Sequence, residues 1–305
     1  MVVFGHSDIT KISAALINSF HMSGFFFLSG MTFSYKSDFF VFLKKKFFSL
    51  LIPYAAFATL LLGFQFAKSI VFGGASFNLL SGIISFFVPI SGRTTTTVYG
   101  LWFLPCLFLT ELILYVYFII RKKYKVLSVI FLVLIFTTSI SVYLTTNIAS
   151  ILSILPISLF FCSLGYIFKK YDFISKTKKF LSLFLALILF VIFVFINIYI
   201  SKNSFDLSSM NLGFWPLYIL SGIAGTIFIC TLAMFIDNSK FLQMMGKNSL
   251  YFYGLHYLII GIVERFINVK WGGILQTVIT FSVLIPIVLI YQKFKSFIFN
   301  RRKYE

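Results

Sequence analysis

Residues 179–200 read KFLSLFLALILFVIFVFINIYI, a run in which a single lysine opens the stretch and only Ser182 and Asn197 interrupt the apolar side chains. At 1.5 Å per residue, about twenty such residues cross a hydrocarbon layer ~30 Å thick. The run is too long for a strand and lacks the two-residue alternation that a half-buried strand would show. Similar apolar segments lie at about 19–35, 47–69, 98–120, 126–146, 148–168, 212–236, 249–268 and 273–294. The opening MVVFGHSD is at most half a span. Counting it, the pattern predicts an all-α, polytopic transmembrane bundle of about ten spans with the first one truncated, forming one integral membrane domain over residues 1–305.

Composition agrees with the runs. The chain of 305 residues is 60% hydrophobic and 11% charged, whereas a soluble domain carries roughly a quarter of its residues charged. A net charge of +18 would fit a nucleic-acid binder only if the lysines formed a stripe with stacking aromatics between them. They sit instead between apolar runs, so no nucleic-acid partner is expected, and loop charge with contact to membrane lipids explains them. Cys106, Cys162 and Cys230 each lie inside an apolar run without ligand spacing and read as small packing residues. No basic region precedes the first apolar residues, so a cleavable signal peptide is not expected.

The positive charge also predicts orientation. KKK at 44–46, RKKYK at 121–125, KKYDFISKTKK at 169–179, Lys240, Lys247 and the terminal RRKYE fall in alternate loops. The other loops hold single charges such as Lys11, Arg93, Lys202 and Lys270. By the positive-inside rule the dense set faces the cytoplasm, together with both termini. The connection at 71–97 contains an apolar stretch too short to span, with flanking glycines and Pro89. It reads either as a re-entrant or interfacial lid or as an ordinary surface loop.

Ionisable residues at membrane depth are costly and mark functional positions by default. His6 lies in the opening half-span, His21 at the start of the second and His256 within the ninth. Histidine suits proton transfer near neutral pH; the competing reading is a neutral imidazole bonding between helices. The spacings fit no compact metal motif, so no metal site is expected. Glu111 lies deep in its span and has the stronger claim of the intramembrane carboxylates to an active-site role, while Glu264, beside Arg265, reads first as a structural pair. The ammonium groups at 44–46 determine topology and could also anchor an anionic ligand such as the phosphates of a nucleotide-bearing cofactor.

Five segments taken together resemble the acyltransferase 3 family, in particular its fucose 4-O-acetylase-like branch. They are VVFGHS at 2–7, FHMSGFFFLSG at 20–30, FLKKKFFSLLIPY at 42–54, LWFLPCLFLTEL at 101–112 and MGKNSLYFYGLH at 245–256. They occur in the family's order over nearly the whole chain. The resemblance implies a multi-pass enzyme of the bacterial inner membrane that moves an acyl group, usually acetyl from acetyl-CoA, to a cell-surface or lipid-linked saccharide. Acetyl-CoA is then a co-substrate, and no bound cofactor is expected. The resemblance further implies that His6 is the catalytic base and that Lys45 and Lys46 lie where the acyl donor binds. His21, Trp102, Glu111, Asn248 and His256 fall in its other signature segments as candidate site residues.

Two departures accompany it. The family has a basic residue about ten positions before the catalytic histidine, whereas five residues precede His6 here; a late-assigned start or a truncated, inactive homologue would each explain this. Ser23 stands where the family often has proline. The rival from another class is a flippase or carrier for lipid-linked saccharides, which would need no response to acetyl-CoA.

Overall fold

A computed structural model describes residues 2–6, 10–72, 79–87, 100–146, 150–172, 179–202, 205–236, 238–266 and 272–301. These residues are overwhelmingly helical, and the sole strand-like feature among them is one bridge between Asp206 and Asn211. Among the described residues eight helices are long and apolar enough to cross a membrane, and a further apolar helix at Ser249–Val263 is shorter. The chain is therefore a multi-pass helical membrane protein, as the apolar runs predict. The opening fragment forms only a four-residue helix, α1 (Val2–Gly5).

Two boundaries differ instructively from those read in the sequence. The span expected at 19–35 begins at Lys11 and runs to Thr32, as α2 (Lys11–Asn18) and α3 (His21–Thr32) separated by a break at Ser19–Phe20. The span expected at 47–69 extends back across the lysines. Here α4 (Phe39–Lys46) passes through a π-helical turn (Phe47–Leu51) into α5 (Ile52–Phe72). Asp38 starts α4 by accepting the Phe40 N–H at 2.9 Å. The lysines thus ride on a helix, although a hydropathy reading takes them for a loop. Of the connection at 71–97, α6 (Leu79–Phe87) is described; it is too short to span and is joined to α5 where Tyr54 Oη donates to the Phe86 carbonyl at 2.7 Å. Residues 73–78 and 88–97 lie outside the described residues.

The remaining helices are α7 (Phe103–Lys123), α8 (Lys125–Thr146), α9 (Ile151–Lys170), α10 (Lys179–Ser201), α11 (Trp215–Phe235), α12 (Lys240–Lys247), α13 (Ser249–Phe266) and α14 (Gly272–Arg301). The chain divides into two compact units, residues 1–13 with 237–305, and residues 14–236. In the smaller unit Val3 of α1 packs in a core with Phe252, Ile259 and Val263 of α13 and Leu284 and Val288 of α14.

In the larger unit α3 packs on α9 and α11. A side chain at Gly30 would run into the Cys162 carbonyl of α9, and one at Gly165 into the Phe27 carbonyl of α3. The two helices therefore meet backbone to backbone, the small-residue packing that substitutes for a hydrophobic driving force in lipid. Gly222 and Gly225 of α11 lie similarly close to Phe161 and Phe20. Between α10 and α11, Asn197 closes the turn: its Oδ1 accepts the Phe214 N–H at 2.8 Å and its Nδ2 donates to the Leu212 carbonyl at 3.1 Å.

The crossing gives a direct test. Gly165→Leu should destabilise the detergent-purified chain by about 3 kcal/mol in thermal unfolding. Gly63→Leu, whose site faces open space, should leave the transition in place.

Candidate functional site

In the larger unit, the chemistry gathers around Glu111. Its helix α7 starts after Gly100, whose φ of 95° turns the chain, and after buried Leu101 and Trp102. Glu111 is 1% exposed, and both of its oxygens have partners. Oε1 accepts from Ser29 Oγ at 2.8 Å, and Oε2 lies 2.6 Å from Lys46 Nζ. One residue away, the hydroxyls of Thr110 and Ser158 share a hydrogen bond of 2.8 Å that ties α7 to α9.

Lys46 and Lys45, expected as a pair, are separated by helix geometry. Successive residues on a helix point about 100° apart. Lys46 turns inward, its ammonium 5.8 Å from the centroid of the Phe42 ring and in contact with Glu111. Lys44 and Lys45 are exposed. The π-helical turn immediately follows Lys46; such an insertion changes the phase of the face after it and is frequent at functional sites. Below the ion pair Phe42 stacks on Tyr115 at 4.5 Å, and Tyr115 Oη donates to the Ser37 carbonyl at 2.8 Å.

Two further sequence candidates lie in this unit. His21 is buried at the break between α2 and α3, where its Nδ1–H donates to the Ile17 carbonyl at 2.9 Å. That bond satisfies a carbonyl near the interruption, work a structural histidine does. Trp102 is buried at the start of α7, its carbonyl accepting from the Cys106 N–H at 3.1 Å.

The smaller unit brings two histidines together. His6 follows α1 and is exposed. Tyr257 Oη of α13 lies 2.9 Å from its Nδ1 and 3.1 Å from its Nε2, at the ring edge between them. His256 is fully buried, with its ring centroid 5.3 Å from that of His6 and 4.3 Å from that of Tyr257. Its Nδ1–H donates to the Tyr253 carbonyl at 2.5 Å, which fixes the tautomer and leaves the lone pair on Nε2. That Nε2 is buried and has no hydrogen-bond partner among the described residues.

Asn248 is buried at the joint of α12 and α13. Its Nδ2 donates to the Met244 carbonyl at 2.8 Å, and its Oδ1 accepts from Gln292 Nε2 of α14. It anchors α13, the helix that carries His256 and Tyr257. The side chain of Glu264 lies outside the described residues.

Sequence reasoning missed Ser29 and Tyr257. Both lie within or directly after segments it singled out, FHMSGFFFLSG and MGKNSLYFYGLH, but neither ionises near neutral pH, so a search for costly charges passes over them.

The Acyl_transf_3 family model, an acyltransferase domain, matches residues 1–292. No curated protein and no solved structure matches the chain.

The ion pair is asymmetric, because Lys46 is 20% exposed at its side chain and Glu111 is 1% exposed. Lys46→Met strands a buried carboxylate and should cost about 3 kcal/mol or more in unfolding free energy. Glu111→Gln keeps an acceptor for Ser29 and leaves a lysine that can reach outward, so the loss should be nearer about 1 kcal/mol.

Proposed function

This chain belongs to the acyltransferase 3 family and is a membrane acyltransferase, and on that premise we propose that it moves an acetyl group from acetyl-CoA to a saccharide hydroxyl. The observation that carries the proposal is the paired histidine centre, with His6 held by Tyr257 Oη and the buried Nε2 of His256 nearby. Residues 1–305 act in it as a single domain of the bacterial inner membrane, of the fucose 4-O-acetylase-like subtype.

In this reading His6 is the general base. Tyr257 Oη lies within hydrogen-bond distance of both ring nitrogens and so holds the imidazole in place without selecting its tautomer. The unprotonated ring nitrogen takes the proton from the sugar hydroxyl as its oxygen attacks the thioester carbonyl. The new C–O bond forms, the C–S bond breaks, and the CoA thiolate leaves and is protonated. A thioester is already activated, so positioning, a base and hydrogen-bond donors to the oxyanion are what the protein must supply. His256, its ring packed against those of His6 and Tyr257, positions the base.

The donor enters from the cytoplasmic side, where the dense lysine loops and both termini lie by the positive-inside rule. Lys45, exposed on α4, suits the phosphates of CoA. Lys46, held by Glu111, supplies a fixed positive charge beside them, and Glu111 acts through it as a positioning residue. The acceptor is a cell-surface or lipid-linked saccharide reached from the outer side.

The test is transfer of labelled acetyl from acetyl-CoA to membrane saccharide by the purified, reconstituted chain. His6→Ala should lower the rate by about 10²–10⁴-fold, the usual contribution of a general base. Tyr257→Phe should lower kcat by about tenfold with little change in KM, and Lys45→Gln should raise KM for acetyl-CoA. An active protein in which His6→Ala is equally active would overturn the assignment of the base.

A further inference from the structure

Within the larger unit, a cavity of about 420 Å³ lies between α3, α9, α10 and α11. Phe27, Phe168, Ala186, Ala224, Cys230 and Thr231 are among its lining residues. The Thr231 hydroxyl is turned back onto the Ile227 carbonyl at 2.8 Å, so it offers little polarity to the space. Ala186 and Ala224 are each 6% exposed and form the deep wall. Leu185 and Leu220, which also line it, are exposed, so the cavity opens sideways. These helices all cross the membrane, so the medium at that opening is hydrocarbon.

One end of the cavity lies toward the end of α9 that carries Lys169 and Lys170. Phe168 is close to the end of α9, Ser182 close to the start of α10 and Thr231 close to the end of α11. These three helix ends lie on the same side, because α9 leads into α10 through a short connection and α10 runs antiparallel into α11. Immediately beyond Phe168, Lys169 and Lys170 are exposed. Over 169–179 the sequence carries five lysines and one aspartate, Asp172. An apolar slot of ligand size ending at a basic rim has the complementarity of a lipid with a hydrocarbon tail and an anionic head.

We propose that this cavity is a binding site for an anionic glycerophospholipid, with one acyl chain between α10 and α11 and its phosphate at Lys169 and Lys170. The site needs the membrane placement of these helices but not the acyl-transfer chemistry, so it stands or falls separately from the proposed reaction.

Native mass spectrometry of the full chain with phosphatidylglycerol and with phosphatidylcholine of identical chains tests it. One phosphatidylglycerol should remain bound, with phosphatidylcholine retained about tenfold less well. Lys169→Gln with Lys170→Gln should remove that preference, and Ala224→Phe, which fills the slot, should remove retention of both lipids. A readout on the unaltered chain guards against a variant that fails to fold. Cys106 and Cys162 are fully buried, whereas Cys230 lines the cavity and is partly accessible. Phosphatidylglycerol should therefore slow maleimide labelling of Cys230 about tenfold, and phosphatidylcholine at equal concentration should not. Labelling indifferent to phosphatidylglycerol, or unchanged retention in a folded Ala224→Phe, overturns the proposal. Displacement of phosphatidylglycerol by polyprenyl phosphate at equal concentration overturns the choice of lipid.

Discussion

The contact on which the larger unit depends is the crossing of α3 and α9 at Gly30 and Gly165. Lipid tails solvate leucine as well as leucine does, so helices in a bilayer gain little by hiding apolar side chains from them. They gain by close approach, and this pair approaches until backbone meets backbone. The crossing also governs the polar contacts beside it. Ser29 is the neighbour of Gly30, so the depth of α3 against α9 sets where its hydroxyl meets Glu111. Thr110 and Ser158 bind α7 to the same α9, and Glu111 in turn receives Lys46. Four helices, α3, α4, α7 and α9, must be in register before the Lys46 ammonium can meet the buried Glu111 carboxylate.

The smaller unit solves a related problem with less machinery. Its apolar core of α13 and α14 takes Val3 as a plug, and that plug brings the short α1, and with it His6, against α13. Asn248 and Gln292 hold the beginning of α13 to α14. His256 lies eight residues beyond Asn248, about 12 Å along the axis, so the anchor and the imidazole belong to one rigid rod. A histidine that spends its N–H on its own helix backbone keeps its orientation without help from a second carboxylate. That matters in a chain with only eight acidic residues.

Much of this was legible in the sequence because lipid imposes a length on every crossing. The runs at 179–200 and 212–236 coincide closely with α10 and α11 for that reason. Hydropathy fails where a helix carries charge, so it could not see that Lys44–Lys46 belong to a helix continuous with the next span. It also could not separate Lys45 from Lys46, since their difference is a rotation about a helix axis and not a composition. The three histidines stood out by cost alone, but cost does not say which of them meet. His6 and His256, 250 positions apart, share a centre through a tertiary contact, while His21 serves a break in its own helix. Tyr257 carries no charge to flag it, and only geometry places its hydroxyl on His6.

The π-helical turn at Phe47–Leu51 adds a residue to an otherwise continuous rod. It separates the angular phase of the lysine-bearing half from that of the half that meets the membrane. The exposed side chains of α5, such as Leu60 and Ile70, are therefore free to drift in identity, so long as they stay apolar, without swinging Lys46 off Glu111. Gain or loss of a single residue there is another matter. It would turn one half against the other by about 100°, and no exchange of side chains nearby could restore the alignment. This stretch should accept substitutions readily over evolutionary time and hold its length almost without exception.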